Sequence, residues 1–349
     1  TLQPHDREFS MSSRSLPSPG NLPPKIAPAR RLVTAVLLSS LVSAALAIGP
    51  AGTVAAQPDE PQKIFQPGDR VALLGNTFAE RLRLGGYFES ALHSALPEHQ
   101  LVVRNLAWSA DEVTLRPRPL NFGSVEDHLQ HQKIDVALLY YGANEAFAGD
   151  SGLGEFKTGL GRSLDRLAMI EARSGPLRIV LISSIPKETH PRFSRLPDPG
   201  PHNRNLERYN QAMHAVAIER NLIFIDLFAP LKALFESRKP PNRCAERDCP
   251  PLTINTMHLN DEGQHLASTL LLEELGVVAA QAPTTSQAEL LRQTVVRKSR
   301  LFFARYRAVN GYYIYGERRR PFGVENFPTE MARFEQRVAE LDREIHRLA

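Results

Sequence analysis

Five short runs of this chain, residues 71–74, 101–106, 134–139, 178–183 and 222–226, are nearly continuously apolar, and segments of helical spacing separate them at residues 78–95, 124–132, 155–173 and 205–219. A strand that is apolar on both faces has to be covered on both faces, and strands alternating with helices run parallel because each crossover brings the chain back to the same edge. The pattern predicts an α/β fold, a three-layer α/β/α domain around a five-stranded parallel sheet wound in the flavodoxin-like manner. In such a sheet the carboxyl ends of the strands share one rim, and ligands bind there. Whatever chemistry the chain performs is to be looked for in the segments that follow each strand.

The first run ends in Gly75-Asn76-Thr77, and apolar residues at helical spacing (Phe78, Leu82, Phe88, Leu92) begin at once. A helix starting there turns its free N–H groups toward the rim. Asn76 and Thr77 have two readings: a side chain that caps the helix, or, for Thr77, a hydroxyl placed as a nucleophile. The second run ends in Asn105-Leu106-Ala107-Trp108-Ser109-Ala110-Asp111, and the third in Tyr140-Tyr141-Gly142-Ala143-Asn144-Glu145. Past the fifth, Asn255-Thr256-Met257-His258-Leu259-Asn260-Asp261-Glu262-Gly263 opens a helix that runs through Leu275.

Taken in that order, these segments resemble the four sequence blocks of the SGNH (GDSL-like) hydrolase family, over roughly residues 69–275. In that family the blocks read Gly-Asp-Ser, a glycine often within Ser-Gly-Asp, Gly-x-Asn-Asp, and Asp-x-x-His. The resemblance implies ester hydrolysis without metal or other cofactor. It makes Thr77 the nucleophile position and His258 the base, with Asn255 at the third triad position. The oxyanion hole then consists of the Thr77 and Ala110 backbone N–H groups and the Asn144 side chain. The chain departs from the family pattern at functional positions: Thr77 replaces serine, Asn255 and Asn76 replace aspartates, and Ala110 stands where the family has glycine. An asparagine can hold an imidazole in place but cannot stabilise the imidazolium by charge. Asp111 and Glu145 are secondary candidates, as contacts to substrate or as solvated turn residues, and Asn76 is another. Trp108 and the Tyr140-Tyr141 pair either line an acyl or sugar pocket or pack in the core.

Ahead of this domain, Lys25, Arg30 and Arg31 precede an apolar stretch at residues 32–47 that ends in small residues, the layout of a secretory signal peptide. Cleavage after Ala47 and cleavage after Ala56 both fit, and an uncleaved membrane anchor is the rival reading. The expected organisation is a leader at 1–56, a linker at 57–68, the SGNH-like domain at 69–280 and a helical extension at 281–349. The formal net charge is +4, and residues 1–56 carry five Lys/Arg against two Asp/Glu, so the remainder carries +1. The basic balance belongs mostly to the leader, which removes the main argument for a nucleic-acid partner. Export also makes Cys244 and Cys249, in a proline-rich loop, a natural disulfide. Within the extension, residues 287–309 and 329–348 read as helices. The aromatic and arginine residues at 310–323 either pack against the domain or stack on a ligand.

Two functions follow for the α/β domain, beside a third reading in which the arginine and aromatic C-terminal segment is the functional part and the domain its scaffold. One is an extracytoplasmic esterase (periplasmic, secreted or surface-bound) acting on a small ester, with a carbohydrate ester suited to that compartment. The other is the same fold without catalysis, kept as a binding module for surface glycans or a protein partner.

Overall fold

The structure is a computed structural model, and it describes residues 64–119, 121–173, 175–238, 250–277, 285–307, 317–321 and 323–349. The leader, the Cys244/Cys249 loop and most of the aromatic and arginine stretch lie outside those residues. Five strands, β1 (Arg70–Gly75), β2 (Val102–Asn105), β3 (Val136–Tyr140), β4 (Arg178–Ile182) and β5 (Ile223–Ile225), form one sheet in the order β2-β1-β3-β4-β5. Every neighbouring pair is parallel. Alternate residues of each strand feed two apolar layers. Ala72, Leu74, Ala137, Leu139 and Leu181 face one, while Val71, Leu73, Val136, Leu138 and Val180 face the other. That alternation is why the runs are apolar throughout.

Helices α1 (Thr77–Gly85), α2 (Tyr87–Ala95), α3 (Val125–His131), α4 (Gly149–Leu167), α5 (Gly200–Glu219), α6 (Phe228–Ser237) and α7 (Asp261–Glu274) accompany the sheet. The single helix expected over residues 78–95 is two. Gly86 adopts a left-handed conformation (φ 70°) and caps α1 through its N–H to Leu82 O. Helix α4 starts six residues before the expected 155, because its glycine-rich first turns carry little apolar signal, and a short hairpin (Glu171–Ala172 with Gly175–Pro176) occupies the expected end.

Two further helices, α8 (Thr285–Tyr306) and α9 (Phe327–Leu348), pack on each other and close the sheet edge at β2. An edge strand exposes unpaired backbone groups and side chains, and here polar links from both helices reach it. The Lys298 ammonium, 2% exposed, donates to Val103 O at 2.9 Å and meets the Glu89 carboxylate at 2.5 Å. Burial works to raise the Glu89 pKa, but Lys298 and His93 hold it below the ordinary glutamate value. Arg104 of β2 makes a bidentate pair with the carboxylate of Asp342 in α9. Such pairs fix how the helices sit more than they add stability, because both partners lose hydration. None of the described helices is long and apolar enough to cross a membrane.

Candidate active site

The β1 turn fixes the first candidate. Gly75 has φ 117°, and a Cβ there would lie 2.0 Å from Tyr140 O, so only glycine lets β1 end this close to β3. Asn76 then acts as the α1 cap. It is 2% exposed, its N–H donates to Tyr140 O at 2.9 Å, and its Oδ1 accepts from the Phe78 N–H at 3.0 Å. Thr77 follows as the first helical residue, its own N–H without an intrahelical acceptor.

The Thr77 hydroxyl oxygen accepts from the Ala110 N–H at 3.0 Å, and the Asn144 side-chain amide donates to Ala110 O at 2.9 Å. Three strand ends are thus joined through one residue. Ala110 pays for that position with φ 64°, a left-handed conformation that costs an alanine about 1 kcal/mol. Glu145 braces the same side. Its two carboxylate oxygens accept from the Val113 N–H at 2.9 Å and the Gly142 N–H at 3.0 Å, tying the loop after β2 to the loop after β3. Burial pushes the Glu145 carboxyl above its ordinary pKa. Asp111, 3% exposed, is held in a bidentate pair by Arg118 (2.8 and 2.5 Å), whose guanidinium lies over the Trp108 ring. Tyr140 and Tyr141 are core residues, 1% and 2% exposed. Asp261 accepts from the Tyr87 hydroxyl at 3.0 Å. Among the described residues, no hydrogen bond joins a carboxylate to the His258 ring.

His258 is half-buried at the end of a short loop. The Ile254 N–H donates to His258 O at 2.8 Å, and Thr256 sits between them at φ 68°. Glu188, 2% exposed, holds this loop in place. Its carboxylate accepts from the Leu252 N–H, the Thr253 N–H and the Thr253 hydroxyl, while its own N–H donates to Thr256 O at 2.7 Å.

The Asn255 amide has its oxygen facing the backbone N–H groups of His258 (3.0 Å) and Met257 (3.4 Å). Those donors require an acceptor, which fixes the amide orientation and puts Nδ2 against His258 Nδ1 at 3.0 Å. An amide nitrogen only donates, so Nδ1 accepts and the neutral ring carries its proton on Nε2. An aspartate at this position would accept from Nδ1–H and leave Nε2 free to take a proton. Among the described residues no hydrogen bond links His258 to the Thr77 hydroxyl.

Thr77, Asn144 and His258 nevertheless open onto one cleft of about 690 Å³, part of it open to solvent. Its walls are mainly apolar, with Phe78, Ile185, Leu206 and Met257 among them, and its charged side chains are Arg81 and Lys187. Burial, with the Arg81 charge adding to it, lowers the His258 pKa. Burial and then Lys187 push His202, whose ring lies tilted against Phe147, down to about 4. Arg81, Lys187, His202 and Glu188 were not singled out from sequence. Arg81 stands one helical turn after Thr77, and that spacing was the available signal. Glu188 gave none. Among the described residues no cluster of His, Cys, Asp and Glu is arranged to hold a metal ion.

Residues 71–266 match the GDSL-like lipase/acylhydrolase family. That span is more than half of the chain, and the chain belongs to this family, a hydrolase acting on ester bonds. Among solved structures, the fold resembles a gut microbial diltiazem-metabolizing enzyme at a TM-score of 0.62 and 12% identity, over 83% of this chain and 97% of the other. It also resembles Axe2, an acetylxylan esterase from Geobacillus stearothermophilus, at a TM-score of 0.45 and 17% identity, over 63% of this chain and 100% of that one. At 12% identity the likeness to the first of these is one of fold alone. No curated protein sequence matches.

Proposed function

We propose that the chain is an exported esterase, with a carbohydrate ester as its substrate class, in which Thr77 attacks and His258 moves the proton. The observation that carries this reading is the linked set of Thr77 hydroxyl, Ala110 N–H and Asn144 amide at the rim of the cleft that also holds His258. The Thr77 oxygen adds to the ester carbonyl carbon as its proton passes to His258 Nε2. Negative charge on the carbonyl oxygen is met by the Thr77 N–H, by the Ala110 N–H as it leaves the Thr77 oxygen, and by the second N–H of Asn144, whose first is used on Ala110 O. Collapse expels the alcohol, which takes the proton from Nε2, and water repeats the sequence to release the acid.

Nε2 can accept only from the tautomer protonated on Nδ1, and Asn255 opposes that tautomer. In serine proteases the corresponding loss of aspartate lowers kcat by about 10⁴, so turnover here is slow. The Thr77 methyl, which restricts χ1, acts in the same direction. Export is supported by the leader pattern at residues 32–47. The Nε2–H tautomer also favours a second reading, a cleft that binds an ester or glycan without cleaving it. Hydrolysis of short-chain aryl esters by the intact protein and its His258→Ala form separates the two. A rate that falls with the substitution is expected, and equal rates end the catalytic reading.

A further inference from the structure

The described arginines near the sheet are mostly spoken for. Arg83 of α1 pairs with Glu80, Arg104 with Asp342, Arg118 with Asp111 and Arg178 with Asp69. Arg81, two residues from Arg83 on the same helix, is different. It lines the cleft with its Nε buried and without a hydrogen-bond partner, and no carboxylate is paired with it among the described residues. Lys187, which also lines the cleft, likewise has no ion pair among the described residues, and its ammonium lies 4.5 Å from the centre of the Phe147 ring. Among the described residues, no aspartate or glutamate lines the cleft.

A buried N–H without an acceptor is costly, and two cations lining one apolar cleft, with no counter-charge among the described residues, leave it with a positive potential. The depressed pKa values of His258 and His202, to which Arg81 and Lys187 respectively contribute after burial, are what such a potential produces. The missing partner is thus an acceptor with negative charge. The apolar walls ask for a single charge on a carbon skeleton, and a guanidinium suits a carboxylate through parallel N–H bonds.

We infer that Arg81 and Lys187 form a carboxylate-binding subsite, so that the ester this cleft accepts carries a free carboxylate close to its scissile carbonyl. The inference rests on the cleft being the ester site and specifies the substrate for it. Arg81 follows Thr77 by four residues on α1, which puts their Cβ atoms about 5–6 Å apart. The carboxylate therefore belongs a few bonds from the carbonyl, as in a half-ester of a short dicarboxylic acid.

Binding tests this without requiring turnover. The intact protein is titrated at low ionic strength with monomethyl glutarate and with neutral dimethyl glutarate, following the His258 ring resonances. The half-ester is expected to bind about tenfold more tightly or better. Arg81→Gln should bring the two ligands together while the Tm of the free protein holds, and Lys187→Gln should narrow the gap independently if Arg81→Gln fails to fold. Equal binding of both ligands to the unaltered protein overturns the proposal, as does a preference that survives both substitutions. A preference for the half-ester without any hydrolysis upholds the subsite and removes the esterase reading. Hydrolysis of esters with no preference for charge does the reverse.

Discussion

The two halves of the candidate site are built to different standards. On the side of Thr77, three loops are cross-braced by hydrogen bonds: the Ala110 N–H to the Thr77 hydroxyl oxygen, the Asn144 amide to Ala110 O, and the Val113 and Gly142 N–H groups to the Glu145 carboxylate. On the side of His258 the loop is equally well held, by Glu188, but its electrostatics are reversed. The exposed Asn255 gives the ring a donor where a base needs an acceptor, and Arg81 adds positive charge. Rigidity is therefore not what separates them. Two of the three proposed oxyanion donors are backbone N–H groups that survive side-chain substitution, whereas the charge behind an imidazole resides in one carboxylate and disappears with it.

The largest effect should come from restoring that charge. Asn255→Asp is expected to raise kcat for an aryl ester by about 10² or more, within the roughly 10⁴ span of the serine-protease case. A rate unchanged by the substitution would mean that the proton is handled elsewhere. Asn144→Ala removes a donor from the braced side and should lower kcat by about 10²–10³, with a smaller change in KM. Denaturant unfolding then compares the two braces. Glu188→Ala orphans two buried N–H groups and a hydroxyl, and a loss of about 3 kcal/mol is expected. A negligible loss would show that the His258 loop stands without its clamp.

The smallest effect concerns pH. Because burial and Arg81 lower the His258 pKa, the acid limb of kcat/KM for a neutral ester should lie below the ordinary histidine range, since the ring stays neutral to lower pH. Arg81→Gln removes a positive charge, raises that pKa and should move the limb to higher pH. A shift in the opposite direction would contradict the placement of Arg81 beside the ring.

Most of the fold was legible in the sequence because a parallel sheet covered on both faces leaves runs such as 136–140 with hardly a polar residue. The rim segments were legible for a related reason. Gly75 and Gly142 mark sharp departures from strand, and the polar residues behind them have few structural uses. Helix α6 escaped, since Pro230 interrupts its pattern and yet is tolerated in a first turn. The split at Gly86 escaped because the apolar spacing continues through α2. Partnerships between distant residues were beyond reach altogether. Nothing local says that Asp111 is tied to Arg118, that Glu188 clamps residues 252–256, or that Arg81 faces an apolar cleft without an acid. Asn255 was visible as a substitution for aspartate. That its amide is locked by the N–H groups of Met257 and His258, with its nitrogen against the ring, required coordinates.

The ring proton of His258 is the most direct test. Nitrogen-15 NMR of the imidazole at neutral pH should find Nε2 protonated and Nδ1 bare in the unaltered protein, and the opposite arrangement in Asn255→Asp. Protonated Nδ1 in the unaltered protein would mean that Asn255 does not set the tautomer, and the prediction of slow turnover would fall with it.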